Sequence, residues 1–275
     1  MDVAALQAHG MMYGTAWKEE ETARLTRMAL DAGFLAIDTA NQRKHYHEAG
    51  VGVAVASALD DGVITREGLF LQTKFTYRRG QDHRLPYDPD APVADQVRQS
   101  CASSLEHLGV RYIDSYVLHG PATRTGLTDD DWRVWAAMEA LLDEGTVRRL
   151  GVSNVSAAQL RSLCEGAVVK PTFCQNRCYA SRGWDAEVRR VCDDHGVVYQ
   201  GFSLLTANRS VWHGAAVRAL AARHGATPAQ ILFRFAQRMG MLPLTGTTDA
   251  AHMRADLAAC GLALTGDELR TIQAA

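Results

Sequence analysis

The chain has 275 residues, of which 47% are hydrophobic, and its 29 Lys and Arg against 31 Asp and Glu give a formal net charge of −2. This balance lacks the basic surplus that a nucleic-acid backbone requires, so we expect no nucleic-acid partner. We find neither a run of about 18 apolar residues nor a basic N-terminal segment leading into an apolar one, so we expect a cytoplasmic protein without a membrane partner. The length suits one domain with one large core over residues 1–275.

Short apolar runs, the strand candidates, alternate along the chain with longer segments of helical periodicity. This alternation is typical of repeated βαβ units with a parallel sheet. The strand candidates are eight: 11–17, 34–37, 69–75, 112–119, 147–153, 172–179, 197–203 and 241–244. The helix candidates between them are 19–32, 47–60, 93–108, 130–144, 156–166, 184–195 and 209–240.

The last helix candidate, 209–240, contains a break at residues 225–228. Gly225 suits a helix C-terminus, while Thr227 as N-cap and Pro228 at the first helical position begin a new helix. The sequence therefore predicts two helices in this segment.

Eight strands with interleaved helices fit an α/β fold of the closed (β/α)8 TIM barrel type. An open doubly wound sheet is less suitable, because no Gly-x-Gly-x-x-Gly follows the first strand. Catalytic groups of such barrels lie at the carboxyl ends of the strands. Several polar residues fall at or near these ends, and we take them as candidate site residues: Asp38, Lys74, His119, Ser153, Asn154 and Gln175.

The six cysteines are scattered through apolar surroundings, which does not resemble a disulfide framework. Cys174 and Cys178 are the one close pair. No second pair of ligands completes a zinc site, so we interpret them as buried strand residues and expect no metal.

A series of motifs, in this order and spacing, resembles the aldo-keto reductase superfamily from the first strand to the last helix. The matching stretches are Gly14-Thr15-Ala16-Trp17, Ile37-Asp38-Thr39-Ala40, Glu48-x-x-Val51-Gly52, Thr73-Lys74, Asp114-x-Tyr116-x-Leu118-His119-x-Pro121, Gly151-Val152-Ser153-Asn154, Gln175-Asn176 and Leu264-Thr265-x-x-Glu268-Leu269. The resemblance implies a (β/α)8 barrel that binds a nicotinamide cofactor without a Rossmann fold and reduces a small-molecule carbonyl compound.

The resemblance also implies four catalytic residues. A carbonyl that receives hydride becomes an alkoxide, which must be protonated or strongly polarised as it forms. Tyr46 would donate the proton, and the ammonium of Lys74 would lower the pKa of this phenol. Asp38 would orient Lys74, and His119 would direct a ring N–H at the carbonyl oxygen.

The position of the tyrosine departs from the family pattern. The family usually places it five residues after the aspartate, where this chain has Arg43, and counting back from Glu48 leads to His45. A lengthened loop between Asp38 and Glu48 accounts for both observations. We predict Tyr46 as the acid, with His45 or His47 as the alternatives.

The resemblance implies cofactor contacts as well. Ser153, Asn154 and Gln175 correspond to the residues that bond the nicotinamide carboxamide. Phe202 takes the place of the tyrosine that stacks on the nicotinamide, in a stretch that includes Ser203 and Leu205.

The segment after the last strand lacks the family lysine that pairs with the adenosine 2′-phosphate, since Leu244 occupies its place. Thr245, Thr247, Thr248 and Arg254 could hold this phosphate instead, helped by the following helix N-terminus. We therefore expect NADP(H), with NAD(H) as an open alternative.

Two other functions compete with carbonyl reduction. A non-catalytic, nucleotide-sensing auxiliary barrel would bind the cofactor without turnover, and it would not need a phenol within hydrogen-bond range of Lys74. A metal-dependent barrel hydrolase could use His45 and His47 as ligands, but no further strand ends complete the ligand set.

The sequence gives little on the substrate and nothing on the oligomeric state. Gly120 follows His119 where many relatives have tryptophan, and the chain ends directly after a helix at 266–273. We expect an open cleft that admits a carbonyl compound larger than simple aldehydes.

Overall fold

Eight parallel strands form a closed barrel in the computed structural model, which describes residues 1–275. Each strand pairs with its neighbours in chain order, and β1 closes the barrel by pairing with β8. The strands are β1 Met12–Gly14, β2 Ala36–Asp38, β3 Phe70–Phe75, β4 Ser115–Leu118, β5 Leu150–Ser153, β6 Phe173–Arg177, β7 Val198–Phe202 and β8 Leu242–Thr245. The predicted fold class and all eight strand candidates are confirmed.

Twelve α-helices accompany the strands, most of them packed around the outside of the barrel. They are α1 Val3–His9, α2 Thr22–Asp31, α3 Glu48–Asp60, α4 Val93–Leu108, α5 Asp129–Asp143, α6 Ala157–Gly166, α7 Ala186–His195, α8 Arg209–Trp212, α9 Ala215–His224, α10 Pro228–Arg238, α11 Ala250–Ala258 and α12 Gly266–Gln273. None of them is long and apolar enough to cross a membrane.

The barrel interior is built in layers. An apolar layer fills the end where the strands begin, and it consists of Leu6, Met12, Ala36, Phe70, Phe173, Leu242 and Leu244. Above it lies a polar layer. Alternate residues of a strand point to the same face, so every second residue of each strand contributes to the barrel interior. On β3, Phe70 belongs to the apolar layer, whereas the interior residues Gln72 and Lys74 are polar. The alternation along β3 thus places the charged side chain of Lys74 inside the barrel, near the carboxyl end of the strand.

Helix boundaries differ from the sequence predictions at three places. Helix α1 was not predicted; Asp2 caps it and its Leu6 is fully buried. The segment 209–240 holds three helices, since a break at Gly214 adds to the predicted break before Pro228. The predicted helix 184–195 begins at Ala186, because Gly183, Trp184 and Asp185 all have left-handed backbone conformations.

Candidate active site

Lys74 and Asp38 form a buried ion pair at the carboxyl end of the barrel. The ammonium donates to Asp38 Oδ1 at 2.7 Å, to Oδ2 at 2.8 Å and to the Thr39 carbonyl at 2.7 Å. The Lys74 side chain is 0% exposed and that of Asp38 4% exposed. All three protons of the ammonium are therefore engaged in hydrogen bonds. A buried ion pair is tolerated only when both of its charged groups have such partners.

Three glutamines from separate strands complete the surroundings of Asp38. Gln72 and Gln175 donate to Asp38 Oδ1 at 2.8 and 2.9 Å. Both also donate to Gln200 Oε1, at 2.7 and 3.1 Å. Sequence reasoning missed Gln72 and Gln200 as part of the site. Gln72 lies two residues before Lys74, so strand alternation was a signal that could have placed it inside the barrel.

Tyr46 reaches the site from the loop after β2, in which His45 and Tyr46 both donate their backbone N–H to the Gln42 carbonyl at 3.0 Å. Lys74 Nζ lies 5.3 Å from the centroid of the Tyr46 ring. The ring of His119 meets it edge-on, with centroids 6.0 Å apart. The tyrosine, lysine and imidazole are therefore brought together as predicted.

The two histidines flanking Tyr46 point elsewhere. The ring of His45 stacks on Trp17 at a centroid distance of 4.0 Å, and its Nδ1 lies 3.0 Å from Gln42 Oε1. His47 Nδ1 lies 3.3 Å from the Glu19 carbonyl, on the outside of the loop. These histidines do not converge on a common point, and nowhere in the structure do three His, Cys, Asp or Glu side chains come together as a metal site.

The coupling between Lys74 and Tyr46 differs from the sequence expectation. The tyrosine hydroxyl receives no hydrogen bond from the ammonium, whose donors go to Asp38 and Thr39. Burial, and then the Asp38 carboxylate, raise the pKa of Tyr46, so the expected lowering is wrong for this arrangement. Burial also lowers the pKa of Lys74, against the opposing effect of Asp38. The phenol consequently keeps its proton at neutral pH.

His119 follows β4 and is held through one ring nitrogen. Its Nδ1 lies 2.7 Å from Thr76 Oγ1, a partner that the sequence did not suggest. Burial, and then the charge of Lys74, lower the pKa of His119 to about 3. The imidazole is therefore neutral near pH 7. If the Thr76 hydroxyl donates to Nδ1, the ring proton is on Nε2 and can be donated.

Two cavities meet at these residues. The inner cavity, of about 500 Å³, runs along the ends of β5 to β8 and includes Gln175 and Phe202. The outer cavity, of about 380 Å³, opens between the loops after β1 to β4. Both are lined by Ala16, Tyr46, His119 and Asn154. A reaction between molecules bound in the two cavities would take place beside Tyr46 and His119.

The predicted carboxamide-binding residues present acceptor oxygens to the inner cavity. Asn154, which has a left-handed backbone (φ 56°), donates both amide protons, to the His119 carbonyl at 2.8 Å and Ser153 Oγ at 3.0 Å. The Ser153 hydroxyl donates to the Gln175 carbonyl at 2.6 Å. The Gln175 amide protons go to Asp38 and Gln200. No group of the protein donates to the Oδ1 of Asn154 or to the Oε1 of Gln175, so both oxygens are available as acceptors.

The predicted residues after β7 and β8 divide into two groups. The inner cavity is lined by Phe202, Ser203, Leu205, Thr245 and Thr247, but not by Thr248 or Arg254. Both of these latter residues are exposed.

The hydroxyl of Thr245 is already engaged. It donates to the buried Asp256 carboxylate at 2.7 Å, so it has no proton for a phosphate. This bond competes with the predicted donation to a phosphate.

Lys18 is a further cation that sequence reasoning missed. It is 6% exposed, and its ammonium donates to the carbonyl of Gly246 at 2.7 Å, at the edge of the inner cavity. It has no carboxylate partner, and burial lowers its pKa to about 8. A buried ammonium without an acid is suited to a bound anion. Only its position directly after the Gly14 to Trp17 motif could have drawn attention to it.

The fold is a (β/α)8 barrel. A buried Lys–Asp pair, a tyrosine and a histidine lie at the carboxyl ends of its strands, where enzymes of this fold have their active sites. The model of the Aldo/keto reductase family matches residues 8–210 of the chain. A protein from Mycobacterium sp. (strain MCS) named aldo-keto reductase is 31% identical over 92% of this chain and 82% of its own length. The chain therefore belongs to the aldo/keto reductase family.

Other relatives agree with this assignment. The aldo-keto reductase family 4 member C11 of Arabidopsis thaliana is 30% identical over 82% of this chain and 72% of its own. Among solved structures, the aldose reductase of Schistosoma japonicum has a TM-score of 0.83 at 22% identity, covering 96% of this chain and 87% of its own. A Bombyx mori aldo-keto reductase in complex with NADP has a TM-score of 0.79 at 24% identity, covering 96% and 88%. The predicted class, an oxidoreductase that reduces carbonyl compounds with NAD(P)H, is confirmed at the level of the family.

Proposed function

We propose that this protein reduces an aldehyde or ketone to an alcohol and prefers NADPH over NADH. One observation carries the proposal, namely that Tyr46 and His119 line both cavities where they meet, with the buried ammonium of Lys74 5.3 Å from the centroid of the Tyr46 ring. The inner cavity would take the cofactor and the outer cavity the carbonyl substrate.

The residues around the inner cavity fit a nicotinamide cofactor. The free oxygens of Asn154 and Gln175 can accept the two protons of a carboxamide NH2 group, and Phe202 offers an aromatic face to a planar ring. The buried ammonium of Lys18 can neutralise part of a phosphate charge. The bound cofactor would supply the hydride.

The chain itself supplies the proton and holds the carbonyl oxygen. Tyr46 enters the reaction protonated, because its pKa is raised. An alkoxide is a stronger base than a phenolate, so the proton moves from Tyr46 to the oxygen as negative charge develops there. Lys74 stabilises the phenolate through space, since its nitrogen is 5.3 Å from the ring centroid, and the neutral ring of His119 donates to the same oxygen.

The preference for NADPH rests on fewer contacts. Leu244 lines the inner cavity where a lysine would pair with the 2′-phosphate, and Thr245 is engaged with Asp256. Thr247, Thr248 and Arg254 are the remaining candidates. We therefore propose a modest preference.

A second function, a nucleotide-binding barrel without turnover, is favoured by one observation. Lys74 has no donor left for Tyr46, and the phenol has a raised pKa. Such a barrel would bind NADPH and leave every carbonyl compound unchanged.

Two measurements test the proposal on the purified protein. Quenching of tryptophan fluorescence by NADPH and by NADH gives both dissociation constants. Oxidation of NADPH is then followed with a panel of aldehydes and ketones of increasing size. Cofactor binding with turnover supports the reductase, whereas binding without turnover across the panel supports the nucleotide-binding barrel.

A further inference from the structure

The outer cavity carries an unbalanced positive charge. Its lining includes two arginines, Arg79 and Arg124, but no aspartate or glutamate. The two histidines of the lining, His45 and His119, have lowered pKa values and add no charge near pH 7. This contrasts with the chain as a whole, whose formal net charge is −2. A cleft lined by one sign of charge concentrates ligands of the opposite sign.

Arg79 contributes its charge while serving as a structural link. Its guanidinium donates to the backbone carbonyls of Pro121 and Ala122, which ties the loop after β3 to the loop after β4. It has no carboxylate partner. Asp131 lies behind this wall, where it accepts from the Tyr77 hydroxyl at 2.9 Å and the Ala122 N–H at 2.7 Å, and it does not line the cavity.

Arg124 is in a different situation. It lies in the loop after β4, lines the outer cavity and is exposed, and its guanidinium makes no hydrogen bond or salt bridge within the protein. Its donors are therefore available to a ligand. The fork of a guanidinium matches the two oxygens of a carboxylate, which a single point charge does not.

The free guanidinium of Arg124 lines the same cavity as the two groups that would react with the carbonyl oxygen. Tyr46 and His119 line the same space as Arg124, so one molecule can contact all three. The other acid near the reacting groups, Asp38, is neutralised by Lys74 and does not line the outer cavity. Nothing in the lining would repel an anion.

We propose that the carbonyl substrate carries a carboxylate distant from its carbonyl group, and that Arg124 binds this carboxylate. The inference rests on the proposed reductase function. Arg124 is thus a specificity-determining residue that selects aldehyde or keto acids over neutral carbonyl compounds of similar shape.

A matched pair of substrates tests the proposal. We would measure kcat/KM for 4-carboxybenzaldehyde and for its methyl ester, which has the same ring and aldehyde without the charge. The proteins are the wild type, Arg124→Gln and Arg218→Gln. The last variant is the control, because Arg218 is an exposed arginine on α9 that lines neither cavity.

The acid-to-ester ratio of kcat/KM is the quantity that decides. We expect it to exceed one in the wild type and to fall about five- to tenfold in Arg124→Gln, since a partly exposed charge-assisted contact is weaker than a buried one. It should be unchanged in Arg218→Gln. Added salt should also lower the wild-type ratio, because the cavity is open to solvent. Equal ratios in all three proteins would overturn the proposal.

A binding measurement separates this inference from the reductase function. Benzoate titrated against the NADPH-loaded protein, with tryptophan fluorescence as readout, needs no turnover, and Trp17 in the cavity wall is 71% exposed. Weaker benzoate binding to Arg124→Gln than to Arg218→Gln supports the anion site even if neither aldehyde is reduced. Equal benzoate binding by the two variants contradicts it, whether or not the aldehydes are reduced.

Discussion

The buried pair of Lys74 and Asp38 lends itself to a double-mutant cycle with Lys74→Met, Asp38→Asn and the combination. Asp38 accepts four hydrogen bonds, two from Lys74 and one each from Gln72 and Gln175. Lys74→Met removes the two bonds from the ammonium and leaves a carboxylate without a cation on a side chain that is 4% exposed. We expect this to cost about 3–5 kcal/mol of the free energy of unfolding.

Asp38→Asn leaves the ammonium buried with neutral oxygens, so we expect a cost of similar size, about 3 kcal/mol. The double variant has no unpaired charge. It should therefore lose less than the sum of the two single variants, by about 2–3 kcal/mol, as is typical of residues in direct contact. Urea unfolding followed by tryptophan fluorescence measures all four free energies.

Reductase activity distinguishes a catalytic from a merely structural pair. All three variants should lose activity, including the double variant, in which stability is partly regained. Additive costs of the two single changes would refute the reasoning about a matched buried pair. Activity in the double variant would show that the ammonium is not needed for proton donation.

Three more predictions follow from other contacts. Asp256→Asn should stabilise the protein at pH 7.5 by up to about 3 kcal/mol, because burial raises the pKa of Asp256 from its usual 3.8 to about 6. The carboxylate destabilises the fold increasingly as the pH rises between these two values, so the gain in the free energy of unfolding, measured with urea, should vanish near pH 4. Arg254→Ala should weaken NADPH binding about tenfold and spare NADH, and an unchanged ratio of the two dissociation constants would show that this arginine does not hold the 2′-phosphate. Gly120→Trp should raise KM about tenfold for bulky ketones and spare small aldehydes, because residue 120 lines the outer cavity. The backbone tolerates a side chain there, since a Cβ would make an ordinary contact with Asn154 at 3.5 Å. A uniform loss of kcat/KM across substrate sizes would contradict an open pocket.

The barrel could be predicted from sequence because its signals are local. Each strand is a short apolar run; Asp38 ends β2, Lys74 is the last residue but one of β3, and His119 directly follows β4. Parallel strands deliver their carboxyl ends to one face, so the meeting of these three side chains follows from topology. The break before Pro228 was likewise encoded within a few residues, by Thr227 and the capping box it forms with Gln230.

The remaining features depend on residues distant in sequence. The bond from Thr245 to Asp256 and that from Lys18 to Gly246 arise from the packing of loops that no local pattern records. The direction of the pKa shift of Tyr46 depends on how deeply the phenol is buried and on the nearby Asp38 carboxylate. The left-handed conformations of Trp184 and Asp185 are uncommon for residues other than glycine, most of all for the bulky Trp184, so the sequence favoured a helix there.

The central claim is that Tyr46 donates the proton, and Tyr46→Phe tests it most directly. Single-turnover reduction of a carbonyl substrate by the NADPH-loaded variant should be slower than in the wild type by at least about a hundredfold, because general acid catalysis contributes roughly 10² to 10⁴ in rate. The dissociation constant for NADPH should stay nearly unchanged. Full activity in Tyr46→Phe would contradict the account.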